Sequence, residues 1–172
     1  ISTEACVYFI RYGKYPRGLK KQILSALRHV ESKMGKNLGD NKNPLLLSVR
    51  SGARQSMPGM METVLNIGLN DSSLVGLIQQ TKNKRFAYDS YRRLMTMYAD
   101  VVMEKSNDLN IGIRHILDTF LGKIKREKNI RNDSDLSDSD LQFVCSNFKK
   151  IIQRKLKKPF PVNPKEQLWE SI

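Results

Sequence analysis

Between Leu45 and Leu69 the hydrophobic period of the chain changes, and that change restricts the fold more than any other feature of the sequence. Leu45, Leu47 and Val49 alternate with Leu46, Ser48 and Arg50, which is the period of a strand. A loop of small residues with two arginines follows, and then a second apolar strand that runs out at about Leu69. On both sides the period is helical. Ala5, Cys6, Phe9 and Ile10 predict a short helix over Thr3 to Tyr12, with Ser2 or Thr3 to cap it and Gly13 to end it. Ile23, Leu24, Leu27, Val30 and Met34 predict a second helix from about Leu19, stopped by Gly35, and the segment from Leu38 to Pro44 reads as a turn-rich connector.

After Asn70 the helical period persists. Leu74, Val75, Leu77 and Ile78 predict a short helix behind the capping oxygens of Asn70 to Ser73. From Arg85 to Met103, Phe86, Ser90, Leu94, Met97 and Val101 form one stripe and Tyr88, Tyr91, Met95, Tyr98 and Val102 another, so this helix packs on more than one side. Ile113, Ile116, Leu117, Phe120 and Ile124 predict the next. Ser137 with Asp140 resembles a capping box in front of a last long helix with Leu141, Val144, Phe148, Ile151, Ile152 and Leu156 inward. Pro159 and Pro161 end it, and Asn163-Pro164 starts another. The expected class is α+β, predominantly helical, with the strands confined to the central stretch at about 45–69 or its flanks.

At 172 residues the chain can form one ordinary domain or two small lobes. No apolar run approaches the ~20 residues of a membrane span and no signal-peptide pattern is present, so the expectation is a soluble, cytoplasmic chain without a membrane partner. The two cysteines, Cys6 and Cys145, sit in apolar helical patterns where buried free thiols are the usual outcome. The formal charge of +13 attracts polyanions, which leaves nucleic acid, nucleotide phosphates and acidic proteins open as partners, or reflects a lysine-rich source composition. The first residue is Ile1 and the helical pattern continues to Trp169, as in a piece of a longer chain.

The central loop carries the chemistry. Gly52 and Gly59 let backbone amides approach a ligand, Ser51 and Ser56 add hydroxyls, and Arg50 and Arg54 add the planar donor forks that suit phosphate oxygens. It is not a Walker A loop, because no Gly-Lys-Ser/Thr follows and no helix begins directly after it. These features fit a phosphate cradle, and they also fit a surface hairpin with solvated arginines.

The run from Ser48 to Asn70, which contains Ser-Val-Arg-Ser-Gly-Ala-Arg and Met-Pro-Gly-Met-Met, closely resembles the signature of the nucleotide-binding domain of the pyruvate, phosphate dikinase family. The resemblance extends to Ile1–Cys6, Arg85–Arg93, Tyr98–Met103 and Pro164–Leu168, and so covers essentially the whole chain. The related phosphoenolpyruvate synthases share Val-Arg-Ser but usually continue with an acidic segment, so Gly-Ala-Arg favours the phosphate-using family.

The resemblance implies part of an ATP-grasp-like domain with an inserted helical lobe. It divides the chain into 1–70 as nucleotide-binding lobe, 71–160 as helical subdomain and 161–172 as the start of a return segment. It implies Mg2+ and ATP as ligands of the full-length enzyme, none held tightly by this piece, and transfer to a phosphohistidine domain of the same parent chain in a homo-oligomer. By position, Arg50 would contact the ATP phosphates, Arg54 would be a second phosphate donor, and Gly59, Met60 and Met61 would close over the nucleotide. Glu62 stands where family members commonly have Asp, and Gln55 where Ala is common. The family's lysine loop would lie before Ile1 and its acidic cluster after Ile172, so no catalytic residue and no metal ligand is expected within this stretch, and the piece is expected to be inactive alone. His29 and His115 fall in helices outside the phosphohistidine motif.

Two readings compete. Lys149, Lys150, Arg154, Lys155, Lys157 and Lys158 lie together with no acid between them, which suits either a non-specific polyanion site or a solvated or domain-docking face. Stacking aromatics are not interleaved with these charges, so nucleic acid is not expected. A purely structural helical lobe, with Arg92 and Arg93 exposed for docking, is the other.

Overall fold

The computed structural model describes residues 1–50, 62–107 and 109–172. Helix α1 (Thr3–Tyr12) and helix α2 (Leu19–Met34) lead into two small pairs of strands. Strand β1 (Asn37–Leu38) pairs in parallel with β2 (Pro44–Leu45), and β3 (Leu47–Arg50) pairs antiparallel with β4 (Thr63–Ile67). Helices α3 (Asp71–Thr81), α4 (Lys84–Tyr98), α5 (Ile113–Glu127), α6 (Asp138–Leu156) and α7 (Pro164–Glu170) complete the chain, and a π-helical segment, Ala99–Glu104, extends α4. The fold is predominantly helical with small sheets, as the periods predict.

The apolar run before the loop is divided between the two sheets at Leu46. Beyond that break the alternation holds: Leu47 and Val49 are half-buried, and Ser48 and Arg50 are exposed. Leu47 pairs with Ile67 but Val49 pairs with Val64, so β4 carries an extra residue. Asn66 takes it up with φ of +62°, a conformation that asparagine tolerates, and donates through Nδ2 to the Ser90 carbonyl of α4.

Helix α4 is the centre of the core. Tyr91, Leu94, Met95 and Tyr98 are fully buried, and the helix packs on α3, β4 and α6, which matches its two apolar stripes. Every residue expected inward on α6 is buried, and Ser137 and Asp140 cap it reciprocally. Asp140 also pairs with Lys128 Nζ at 2.5 Å, so that lysine and the Ser137 hydroxyl hold its carboxyl below the usual range. Asn70 and Ser73 cap α3 in the same way.

The N-terminal helix departs from expectation. Helix α1 buries no residue, Val7, Phe9, Ile10 and Tyr12 are exposed, and Cys6 is an exposed thiol rather than a buried one. Ala5, Cys6, Tyr8 and Phe9 border open cavities, and Phe9 has a ring contact with Tyr15. The late residues of α2, Val30 and Met34, are also exposed, as are Val75, Phe86 and Ile111. Cys145 is buried and free; burial pushes its thiol up to about 12.

Helix α7 locks the fold at its far end. Gln167, with no exposed surface, accepts from the Gly68 amide at 2.9 Å and donates to the Leu69 carbonyl at 2.9 Å and the Pro161 carbonyl at 2.8 Å. Gly68 has φ of +109°, and a Cβ there would stand 2.8 Å from the Leu45 carbonyl oxygen, so the turn between β4 and α3 requires glycine.

Candidate functional site

Arg50 is the last residue of β3 and is paired across the sheet with Thr63. Glu62 directly precedes β4, so the two chain ends of the hairpin bring a guanidinium and a carboxylate to one rim. Both line a cavity of 370 Å³ whose apolar walls include Val49, Val64, Val101 and, from α1, Cys6 and Phe9. Arg54, Gly59, Met60 and Met61 lie outside the described residues, as do Ser51, Gly52 and Ser56. Of the residues singled out by resemblance, the structure therefore places Arg50 and Glu62, and brings them together.

Glu62 is engaged from below. Lys105 Nζ lies 2.7 Å from Glu62 Oε1 and 3.4 Å from Asp100 Oδ2, and Arg114 Nε donates to the same Asp100 oxygen at 2.7 Å. The bond to Glu62, seconded by Asp100, raises the Lys105 ammonium above its ordinary value and keeps it charged across the neutral range. Asp100 and Lys105 are five residues apart. The wider π winding, in which the Lys105 amide donates to the Asp100 carbonyl as well as to that of Val101, sets them on one side of the helix.

The adjacent Glu104 is 5% exposed and accepts three amides: Ile111 and Gly112 on Oε1, and Ile113 on Oε2, each at 2.6 Å. These are the entry amides of α5, so the carboxylate meets both unpaired donors and the positive end of the helix. The π segment is thus pinned to α5 by Glu104 and Asp100, with Lys105 at its end facing Glu62.

The arginines of the Arg85–Arg93 motif are structural in this fold. Arg85 donates to the carbonyls of Leu136 and Asp133. Arg92, 6% exposed, bonds Asp89 at 2.6 Å and Asp133 at 3.3 Å, and is therefore buried rather than presented for docking. Arg93, on the exposed side, bonds the other Asp89 oxygen at 2.8 Å. On the basic helix, Lys149 is committed to Asp71 at 2.5 Å and lies over the Tyr91 ring, and Lys158 is within 3.7 Å of Glu170. Two of the six cations there serve packing, which favours the structural reading of that face. His29 and His115 are both exposed.

The family described as "Pyruvate phosphate dikinase, AMP/ATP-binding domain" matches residues 3–104, which span α1, both sheets, α4 and the π segment. The chain belongs to the pyruvate phosphate dikinase family. Over its whole length it is similar to the pyruvate, phosphate dikinases of Giardia intestinalis (46% identical over 172 residues, 19% of that protein), Clostridium symbiosum (42% over 174, 19%) and Flaveria pringlei (chloroplastic; 47% over 174, 17%). It spans under a fifth of the length of these dikinases. The dikinase family match ends at Glu104, one residue before Lys105.

Among the described residues no three His, Cys, Asp or Glu side chains converge as a metal site, and no helix is long and apolar enough to cross a membrane. Sequence reasoning singled out Glu62 but missed Lys105, Asp100 and Arg114, which hold it. The signal was faint: Asp100 lay inside the Tyr98–Met103 run, but a 3.6-residue period does not pair it with Lys105.

Proposed function

We propose that this chain supplies one wall of the ATP site of a pyruvate, phosphate dikinase. The parent would interconvert ATP, phosphate and pyruvate with AMP, diphosphate and phosphoenolpyruvate through a phosphohistidine carried on another domain of the same parent. In this reading residues 1–70 belong to an ATP-grasp-like nucleotide lobe, 71–160 form an inserted helical lobe, and 161–172 lead back toward the nucleotide lobe. The observation that carries the reading is the position of Arg50, at the open end of β3 on the rim of a 370 Å³ cavity, inside the segment matched by the AMP/ATP-binding family.

Arg50 binds phosphate oxygens with its donor fork, and Arg54 adds a second. Gly59, Met60 and Met61 close over the nucleotide, and Glu62 borders it. Mg2+ would come with ATP and would neutralise phosphate charge beside Arg50, with no ligand set assigned to this chain's described residues.

The test is Arg50→Ala in the full-length protein that carries this chain. A charge-assisted contact of about 1.5–3 kcal/mol predicts a fall of about 10- to 150-fold in kcat/KM for ATP. Exchange between pyruvate and phosphoenolpyruvate on the phosphorylated enzyme stays as in the unsubstituted protein. Unchanged ATP kinetics would overturn the assignment. For the 172-residue chain alone, calorimetry is expected to show no micromolar affinity for Mg-ATP.

A further inference from the structure

Arg50 and Glu62 share a cavity, yet their charges act in opposite directions on a polyphosphate. An uncompensated carboxylate at Glu62 would repel the anion that Arg50 attracts. The cation beside it is Lys105, 2.7 Å away, brought there by a backbone that Glu104 anchors to the first amides of α5. Asp100 shares Lys105 but has a cation of its own in Arg114, so the positive charge of Lys105 remains available to Glu62.

Stability gives little reason for this arrangement. The Lys105 and Glu62 side chains are 52% and 51% exposed, and exposed ion pairs contribute little to folding. Their consequence falls on the electrostatic field at the rim, where a polyanion is to be received.

We propose that Lys105 is a positioning residue for the nucleotide phosphates: it holds and neutralises Glu62, so that this carboxylate does not repel a polyphosphate at the rim it shares with Arg50. This rests on the reading that Arg50 meets the phosphates of ATP, and it gives Lys105 a role through Glu62 rather than by contact with the ligand. Without Lys105, Glu62 has no paired cation among the described residues and acts as a negative charge at the entrance. Without both, that repelling charge is gone again.

The experiment is a double-mutant cycle in the full-length protein, with KM for Mg-ATP and for phosphoenolpyruvate measured at low and high salt. Lys105→Met is expected to raise KM for ATP about five- to tenfold at low salt and less at high salt, because screening weakens the repulsion, with KM for phosphoenolpyruvate unmoved. Lys105→Arg, which keeps the charge, stays within about twofold of the unsubstituted protein. Adding Glu62→Gln to Lys105→Met recovers most of the loss. If the double variant is as impaired as Lys105→Met, or if Lys105→Met leaves KM for ATP unchanged, the proposal is overturned. Arg50→Ala, run alongside, separates the two levels: its failure to weaken ATP binding sinks the nucleotide site itself, whereas a loss there with a silent Lys105→Met sinks only the role of Lys105.

Discussion

Replacing Gln167 with leucine tests how the end of the chain holds the turn between β4 and α3. The glutamine is fully buried and makes one hydrogen bond as acceptor and two as donor, to Gly68, Leu69 and Pro161. Leucine keeps most of the volume but neither donates nor accepts. The Gly68 amide and Leu69 carbonyl lie in buried residues and lose this partner, whereas Pro161 is half-buried and can turn to water. Two polar groups stranded at about 1–3 kcal/mol each, less a gain of about 1 kcal/mol from the apolar side chain, give a loss of about 3 kcal/mol. With a urea dependence of about 2 kcal/mol per molar, the midpoint of unfolding of the 172-residue chain falls by about 1.5 M, followed by circular dichroism. Hydrogen exchange at the Gly68 amide should accelerate more than exchange in α6, because the loss is local to the turn. A midpoint change below about 0.5 M would refute the reasoning, since those polar groups would then have found other partners.

Glu104→Gln removes the charge that three α5 amides address, and is expected to cost about 2–3 kcal/mol in the same assay, because the amide presents a donor where the carboxylate accepted. Asp140→Asn should cost about 1 kcal/mol at neutral pH. Because the folded carboxyl is held below the ordinary value of 3.8, the Asp140 contribution is fully present above pH 3.8 and is lost as the pH falls through the lowered folded value. The gap between Asp140→Asn and the unsubstituted chain should therefore close in acid, as measured by unfolding midpoints across that range. A thiol reagent at neutral pH should modify Cys6 at once and Cys145 only on unfolding, since Cys145 is buried with its thiol pushed up to about 12.

The helices were legible because burial imposes a period. On α6 the apolar residues recur where a 3.6-residue turn requires, and all of them are inside. The same logic misplaced Cys6 and the face of α1, because an apolar stripe records that a surface is to be covered but not what covers it. Arg92 was misread for a related reason. Its charge suggested solvent, but Asp89 at one turn and Asp133 from a distant segment satisfy it in the interior, and sequence spacing reveals only the first.

The candidate site was legible in one half. Arg50 follows from strand alternation, which puts it on the exposed face at the end of β3, and from the arginine-rich loop that begins there. The network behind Glu62 could not follow, because it depends on a winding no pattern announces. In an α-helix five residues make well over one turn, and Asp100 and Lys105 would point to different sides. The π segment brings those two to one side: Asp100 is matched with Lys105 and Arg114, and Glu104 turns toward the α5 amides. The two acids of the segment have separate partners, and the lysine at its end lies within reach of Glu62. The wider winding thus sets the direction of Lys105, at the end of the segment and toward the rim of the cavity. It also means that any substitution restoring regular α-helical winding there would draw Lys105 away from Glu62.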